Sequence, residues 1–203
     1  MQSFKHQLLK TLNQKIPTFV MKIIQNMKNK AVILFLVKFF ATYLIFGGLY
    51  QWYLSHNKQI SPNQADYITK QVAYQTIDLG RFLGYSIQTE PNLDEASMKI
   101  ILNGQYVARV VEGCNAMSVL ILFWAFIIAF SGKWKETLIF GVIGSISIYL
   151  INLLRIFVLT YATYRYPQHT DFLHKIIFPG IIYGFTFLLW MVWVKRLESN
   201  KLK

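Results

Sequence analysis

The sequence predicts an all-α integral membrane helical bundle of about four transmembrane helices, with a small extracytoplasmic α+β insert. Three observations lead there. The first is a set of long apolar runs: Ala31 to Leu54, broken only by Lys38, then Ala116 to Phe130, Thr137 to Leu154, and Ile176 to Val194. A hydrocarbon core of about 30 Å needs about 20 apolar helical residues, and the second run nears that length if its helix starts near Cys114. The second observation is where positive charge falls. Residues 1–30 hold six lysines and no acid, the link between the second and third runs holds Lys133 and Lys135, and the end of the chain holds Lys195, Arg196, Lys201 and Lys203. Basic residues flanking spans stay in the cytoplasm, and four spans put those three segments on that side. The third observation is the stretch 55–112, where five basic residues mix with six acidic ones, as expected of an aqueous segment.

The formal net charge of +12 invites a nucleic-acid partner. Its clustering beside the spans makes it a topology signal first and a contact with anionic lipid second, so no nucleic-acid partner is expected. A single cysteine leaves no intramolecular disulfide and no thiolate metal cluster, and the expected chemistry needs no metal or cofactor. The first run is long enough to remain as an anchor where a signal peptide would be cleaved.

Taken in order, residues 1–30 read as a cytoplasmic basic amphipathic lead. Leu8, Leu12, Ile16, Phe19 and Ile23 recur at helical spacing between lysines, with Pro17 interrupting. Such a segment lies on the inner leaflet, a plain solvated tail being the alternative. The first transmembrane helix is 31–54, with Trp52 and Tyr53 at its outer end, where amphipathic rings favour the interface. The insert, 55–112, opens with a helix in Pro62 to Leu83, whose apolar period runs through Ala65, Ile68, Val72, Leu79 and Phe82. Asp66 and Asp78 belong on its solvated face. Asn92 to Ser97 reads as a loop. MKIILNGQYVARVV then gives two β-rich runs about Asn103-Gly104, a hairpin signal.

Residues 113–194 form a three-helix transmembrane catalytic core. Its first helix runs inward from about Cys114 to Phe130, and the next returns from about Thr137. From Thr137 to Arg155 a helix rises about 27 Å, which brings Arg155 near the outer face. RYPQHTDFLHK, 165–175, forms an outer loop; the last helix descends from about Ile176 to Val194; and 195–203 is a cytoplasmic basic tail. Gly180 and Gly184 on the last helix, and Gly141 and Ser145 on the one before, have the small-residue spacing that lets helices approach closely.

This topology gathers three chemically capable side chains at one membrane face. Cys114 is the candidate nucleophile, because a helix amino terminus or a nearby cation favours the thiolate; the competing account is a small apolar filler. Arg155, flanked by INLL and IFVL, is costly in lipid and marks a functional site. It would stabilise a thiolate, a substrate carboxylate or an oxyanion, unless it is a structural cation paired with a carboxylate. Asn152, three residues earlier on the same helix face, supports it. His174 would act as general base and acid, with His169 as its rival in the same loop. Asp171 could orient His174 if that stretch is helical. Glu112 either pairs with Arg155, assists proton transfer, or is simply solvated.

EGCNA around Cys114, NLLR with Asn152 and Arg155, and LHKIIFPG with His174 occur in the order seen in the exosortase/archaeosortase family, which this chain resembles over about residues 98–194. The small size and the cysteine motif look most like the short exosortase F type of Bacteroidota. The chain departs from larger bacterial members in having about four spans where they have about eight. The resemblance implies a multi-pass protein of the bacterial inner membrane, both termini cytoplasmic and the active site outside. It also implies a cysteine transpeptidase or thiol protease for protein sorting, with Cys114, Arg155 and His174 catalytic. Its substrates would be exported proteins bearing a carboxy-terminal transmembrane sorting signal, cleaved through a thioester and passed to a lipid or amine acceptor. Two other readings compete: a non-enzymatic membrane scaffold, indifferent to loss of Cys114, and a small transporter that depends on Arg155 but not on Cys114. A simple cysteine protease differs only in letting water resolve the thioester.

Overall fold

The computed structural model describes the backbone of residues 2–201 apart from 62 and 131, and side chains from Lys30 onward except at those two positions, at 171 and after 199. The chain is mostly helical, with one small sheet. The first helix, α1 (Gln2–Ile60), contains the first apolar run. The side chains of residues 1–29, and with them the expected amphipathic face, lie outside the described residues.

After α1 the chain forms α2 (Tyr67–Phe82) and the strands β1 (Ile87–Pro91), β2 (Ser97–Leu102) and β3 (Gln105–Val111). Asp66 caps α2, accepting hydrogen bonds from Ile68 N at 2.9 Å and Thr69 N at 3.2 Å. This corrects the expected solvated position: Asp66 is 2% exposed, because its carboxylate satisfies the otherwise unpaired first amides of the helix. Asp78 is exposed as expected, beside Arg81. The buried stripe of α2 runs through Val72, Ala73, Thr76 and Ile77, whereas Phe82 at its end is outside the core.

The sheet is antiparallel in the order β1-β2-β3. Asn103 and Gly104 turn the expected hairpin with φ of 52° and 78°, a pair of left-handed residues that matches the strand twist. Strand β1 was not expected. Its polar Gln88, Thr89 and Glu90 hide the alternation, and Pro91 is tolerated because β1 is an edge strand.

Three more helices complete the fold: α3 (Met117–Ala129), α4 (Trp134–Arg165) and α6 (Phe178–Lys201), the last preceded by the short α5 (Thr170–Phe172). By length and composition, Lys30–Ile60, Trp134–Arg165 and Leu173–Ser199 can each cross a membrane. With 13 residues, α3 is about 20 Å long, shorter than the expected span from Cys114. Its helix starts at Met117 because Ala116 is left-handed, at φ 63°. The last loop differs from expectation too. It is helical, with a 3-10 turn at Pro167–His169, α5, and a π-helical turn at Leu173–Ile177 that runs into α6.

Two cores result. In one, α3 residues Val119, Phe123 and Ile127 pack with Phe140, Ile148, Ile182 and the fully buried Trp193. Close approach of α3 and α4 depends on glycine: a Cβ on Gly141 would lie 2.2 Å from the Trp124 ring, and one on Gly144 would lie 2.3 Å from Phe123. The expected Gly141/Ser145 contact is thus filled by an aromatic, and Trp124 Nε1 donates to Ser145 Oγ at 2.9 Å. Gly180 and Gly184, by contrast, face open space. In the other core, Leu153, Ile156 and Phe157 of α4 join Val72 and Ile77 of α2 and the inner face of the sheet, including Met98, Ile100 and Leu102. The insert therefore shares its core with α4. Its sheet lies over the part of α4 that carries Arg155.

Candidate active-site cleft

Strand β3 delivers the chain to a 3-10 turn, Glu112–Cys114, whose thiol is free and half-buried. Asn115 and Ala116 follow before α3 begins. Cys114 thus precedes the helix instead of opening it, which corrects the expected placement. A helix dipole acts chiefly within the terminal turn, and Cys114 lies three residues before the first residue of α3.

Two asparagines hold the turn. Asn115 is 1% exposed; its Nδ2 donates to Tyr50 Oη at 2.7 Å and to Thr69 Oγ1 at 3.2 Å, while its Oδ1 accepts from Met117 N at 3.1 Å. Thr69 in turn donates its hydroxyl to Asp66, to which Tyr53 also donates. The residue after the cysteine is thereby tied to α1, α2 and the start of α3. Ala116 is small for a backbone reason, because a larger or branched side chain is strained at its left-handed φ. From the other side, Asn152 of α4 is fully buried. It donates from Nδ2 to the Cys114 carbonyl at 2.8 Å and accepts at Oδ1 from Arg155 Nη1 at 3.1 Å. The N-x-x-R spacing places both side chains on one helix face, so a single amide links the guanidinium to the cysteine turn.

Cys114, Arg155 and His174 line one cleft of about 160 Å³, closed by Val107 to Val110 of β3 and by Thr160, Thr163 and Thr170. Arg155 and Thr163 lie on the same face of α4, eight residues apart, with Leu159 between them. His174 enters from the π-helical turn before α6, a geometry frequent at functional sites. The rival His169 sits in the preceding 3-10 turn, is exposed and is not part of this lining. Among the described residues the lining carries Arg109, Arg155 and His174 and no carboxylate; Arg109 is paired with Glu95, which leaves Arg155 as the cation suited to a developing oxyanion.

Glu112 points elsewhere. It forms an ion pair with Lys58 of α1 at 3.3 Å and lines a separate crevice with Tyr43, Gly47 and Gln51. The partner of Arg155 is Asn152 and not Glu112. The side chain of Asp171 lies outside the described residues. Sequence reasoning overlooked Thr69 and Thr170 and undervalued Asn115 and Asp66. The signal for Asp66 was a carboxylate directly preceding a helix, where capping residues collect; Asn115 stands one residue before the Ala116 cap and had no such signal.

A family model described as transmembrane exosortase matches residues 61–194, which covers α2, the sheet, the cysteine turn and nearly all of the three later helices. No curated protein and no solved structure matches the chain.

Proposed function

Because the chain belongs to the transmembrane exosortase family, we propose that it is a membrane-embedded cysteine transpeptidase that cleaves the carboxy-terminal sorting signal of exported proteins. One observation carries the reading: a thiol, a guanidinium and an imidazole from three distant segments line a common cleft. His174 takes the proton of Cys114, and the thiolate adds to the carbonyl of the scissile peptide. Arg155 offsets the negative charge that develops first on sulfur and then on oxygen. As the intermediate collapses, the leaving amine receives the proton from His174 and a thioester remains on Cys114. An acceptor amine or lipid then displaces the sulfur, whereas water in its place makes the same site a protease.

Charge placement supports the orientation. With the lysine-rich amino terminus, the link at 131–136 and the tail in the cytoplasm of a bacterial inner-membrane protein, the cleft opens on the extracytoplasmic side, where exported substrates emerge. A substrate helix in the bilayer would dock laterally, with its cleavage site level with Cys114. The test compares cells whose only copy is wild type or Cys114→Ala, reading the carboxy termini of exported proteins by mass spectrometry. Truncated termini are expected only with the thiol present. Unchanged processing in Cys114→Ala refutes the nucleophile, and loss in Arg155→Ala but not in Cys114→Ser favours transport instead.

A further inference from the structure

Two polar atoms on residues lining the cleft are shielded from water and have no hydrogen-bond partner among the described residues: Nε of Arg155 and Oγ1 of Thr170. A buried donor left unpaired costs about 1–3 kcal/mol, so native structures keep few of them, and two beside one small cleft ask for a reason. Three neighbouring polar groups are already committed. Thr160 donates its hydroxyl to the Ile156 carbonyl at 2.9 Å, Arg155 Nη1 serves Asn152, and Arg109 is paired with Glu95. Arg155 Nε–H of α4 and the Thr170 hydroxyl of α5 have no such partner, and both residues line the space that Cys114 also lines.

Resting on the reading of Cys114 as nucleophile, we propose that Thr170 is a further catalytic residue. Its hydroxyl, with Arg155 Nε–H, donates to the oxygen of the carbonyl that Cys114 attacks. As the C–S bond forms, the carbonyl π pair moves onto oxygen and the two donors hold that oxyanion. When the pair re-forms the carbonyl, the leaving group departs with its bonding electrons. Donors aimed at the oxyanion act more strongly on it than on the ground-state carbonyl, and exclusion of water strengthens them. Thr170 lies on a connection of short 3-10, α and π turns between the two long helices. Both donors are shielded in the structure, so this wall must part from α4 as the carbonyl oxygen enters, which gives the two orphaned donors the partner they lack.

The test uses the purified full chain in detergent and two probes of Cys114. p-Nitrophenyl acetate acylates the thiol through an oxyanion and releases nitrophenolate. Iodoacetamide alkylates the same thiol without one. Thr170→Val keeps the shape of the side chain and removes the donor; acylation is expected to fall about 10- to 100-fold while alkylation keeps its wild-type rate. Thr170→Ser restores acylation. Equal acylation in wild type and Thr170→Val overturns the proposal. So does a parallel fall in both rates, which marks a structural role, and so does a wild-type thiol that alkylates without acylating. Failure of the parent reading is separate, since it appears as continued processing of exported proteins in Cys114→Ala cells.

Discussion

The side chain of Asn152 donates a hydrogen bond to the backbone carbonyl of Cys114, 2.8 Å away and 38 residues distant in sequence. The same amide accepts from Arg155, so the position of the cysteine turn and that of the guanidinium depend on one buried side chain. Asn152→Ala leaves the Cys114 carbonyl and an Arg155 N–H unpaired, at a cost of about 1–3 kcal/mol for each group. Asn152→Asp retains the acceptor for Arg155 and loses the donor to Cys114. In detergent, both variants should melt below wild type, and iodoacetamide should react with Cys114 at an altered rate in each. Melting curves that superimpose on the wild type would show that the bridge bears no stability.

The two histidines of the connection separate by position. His174 shares the cleft with Cys114, whereas His169 is exposed on the turn before it. His174→Ala should abolish carboxy-terminal processing, and His169→Ala should leave it intact, as read by mass spectrometry of exported proteins. The reverse pattern would move the general base to the 3-10 turn.

Much of this arrangement was legible in the sequence because membrane periodicity is coarse. Apolar runs located the long helices, and the Asn-Gly turn located the hairpin. Arg155 announced itself because a charge among INLL and IFVL is costly. What stayed hidden depends on tertiary partners. Asp66 looked solvated because the helix was expected from Pro62, which hid its place as the cap before Tyr67, and because Asn115, which bonds Thr69 and Tyr50 beside it, is remote in sequence. The short α3 stayed hidden because the left-handed Ala116 has no composition signature. Thr170 stayed hidden because an unpaired hydroxyl can be recognised only once its surroundings are known.

The buried chain from Asp66 through Thr69 to Asn115 makes a stability prediction. Asp66→Ala removes a helix cap, typically worth about 0.5–2 kcal/mol, and also the acceptor of the Thr69 hydroxyl. Asn115→Ala frees the cysteine turn from α1 and α2 together. Both should lower the melting temperature, with the double variant falling short of the sum because the two residues share Thr69. Full additivity would mean that the chain does not act as a unit.

Glycines on the two later helices should behave oppositely despite similar spacing. Gly144→Ala drives a methyl group into Phe123 and Gly141→Ala drives one into Trp124, overpacking that typically costs about 1–3 kcal/mol. Gly180→Ala and Gly184→Ala meet nothing within 4 Å and should hold or raise the melting temperature, since alanine is the better helix former. A large loss at Gly180 would point to a partner helix on that face.

Arg155→Lys tests whether charge alone suffices. A lysine supplies a point charge from one nitrogen, whereas the guanidinium offers a rigid fork, with Nη1 on Asn152 and Nε left for the cleft. An ammonium that stays with Asn152 gives up the cleft, and one that turns to the cleft leaves Asn152 unpaired. The fold should survive, since Asn152 keeps its bond to the Cys114 carbonyl, but processing should drop about 100-fold or more, as when one oxyanion donor is lost. Near-wild-type processing by Arg155→Lys would instead mean that the cleft needs only positive potential, and the directional role of Nε would have to be given up.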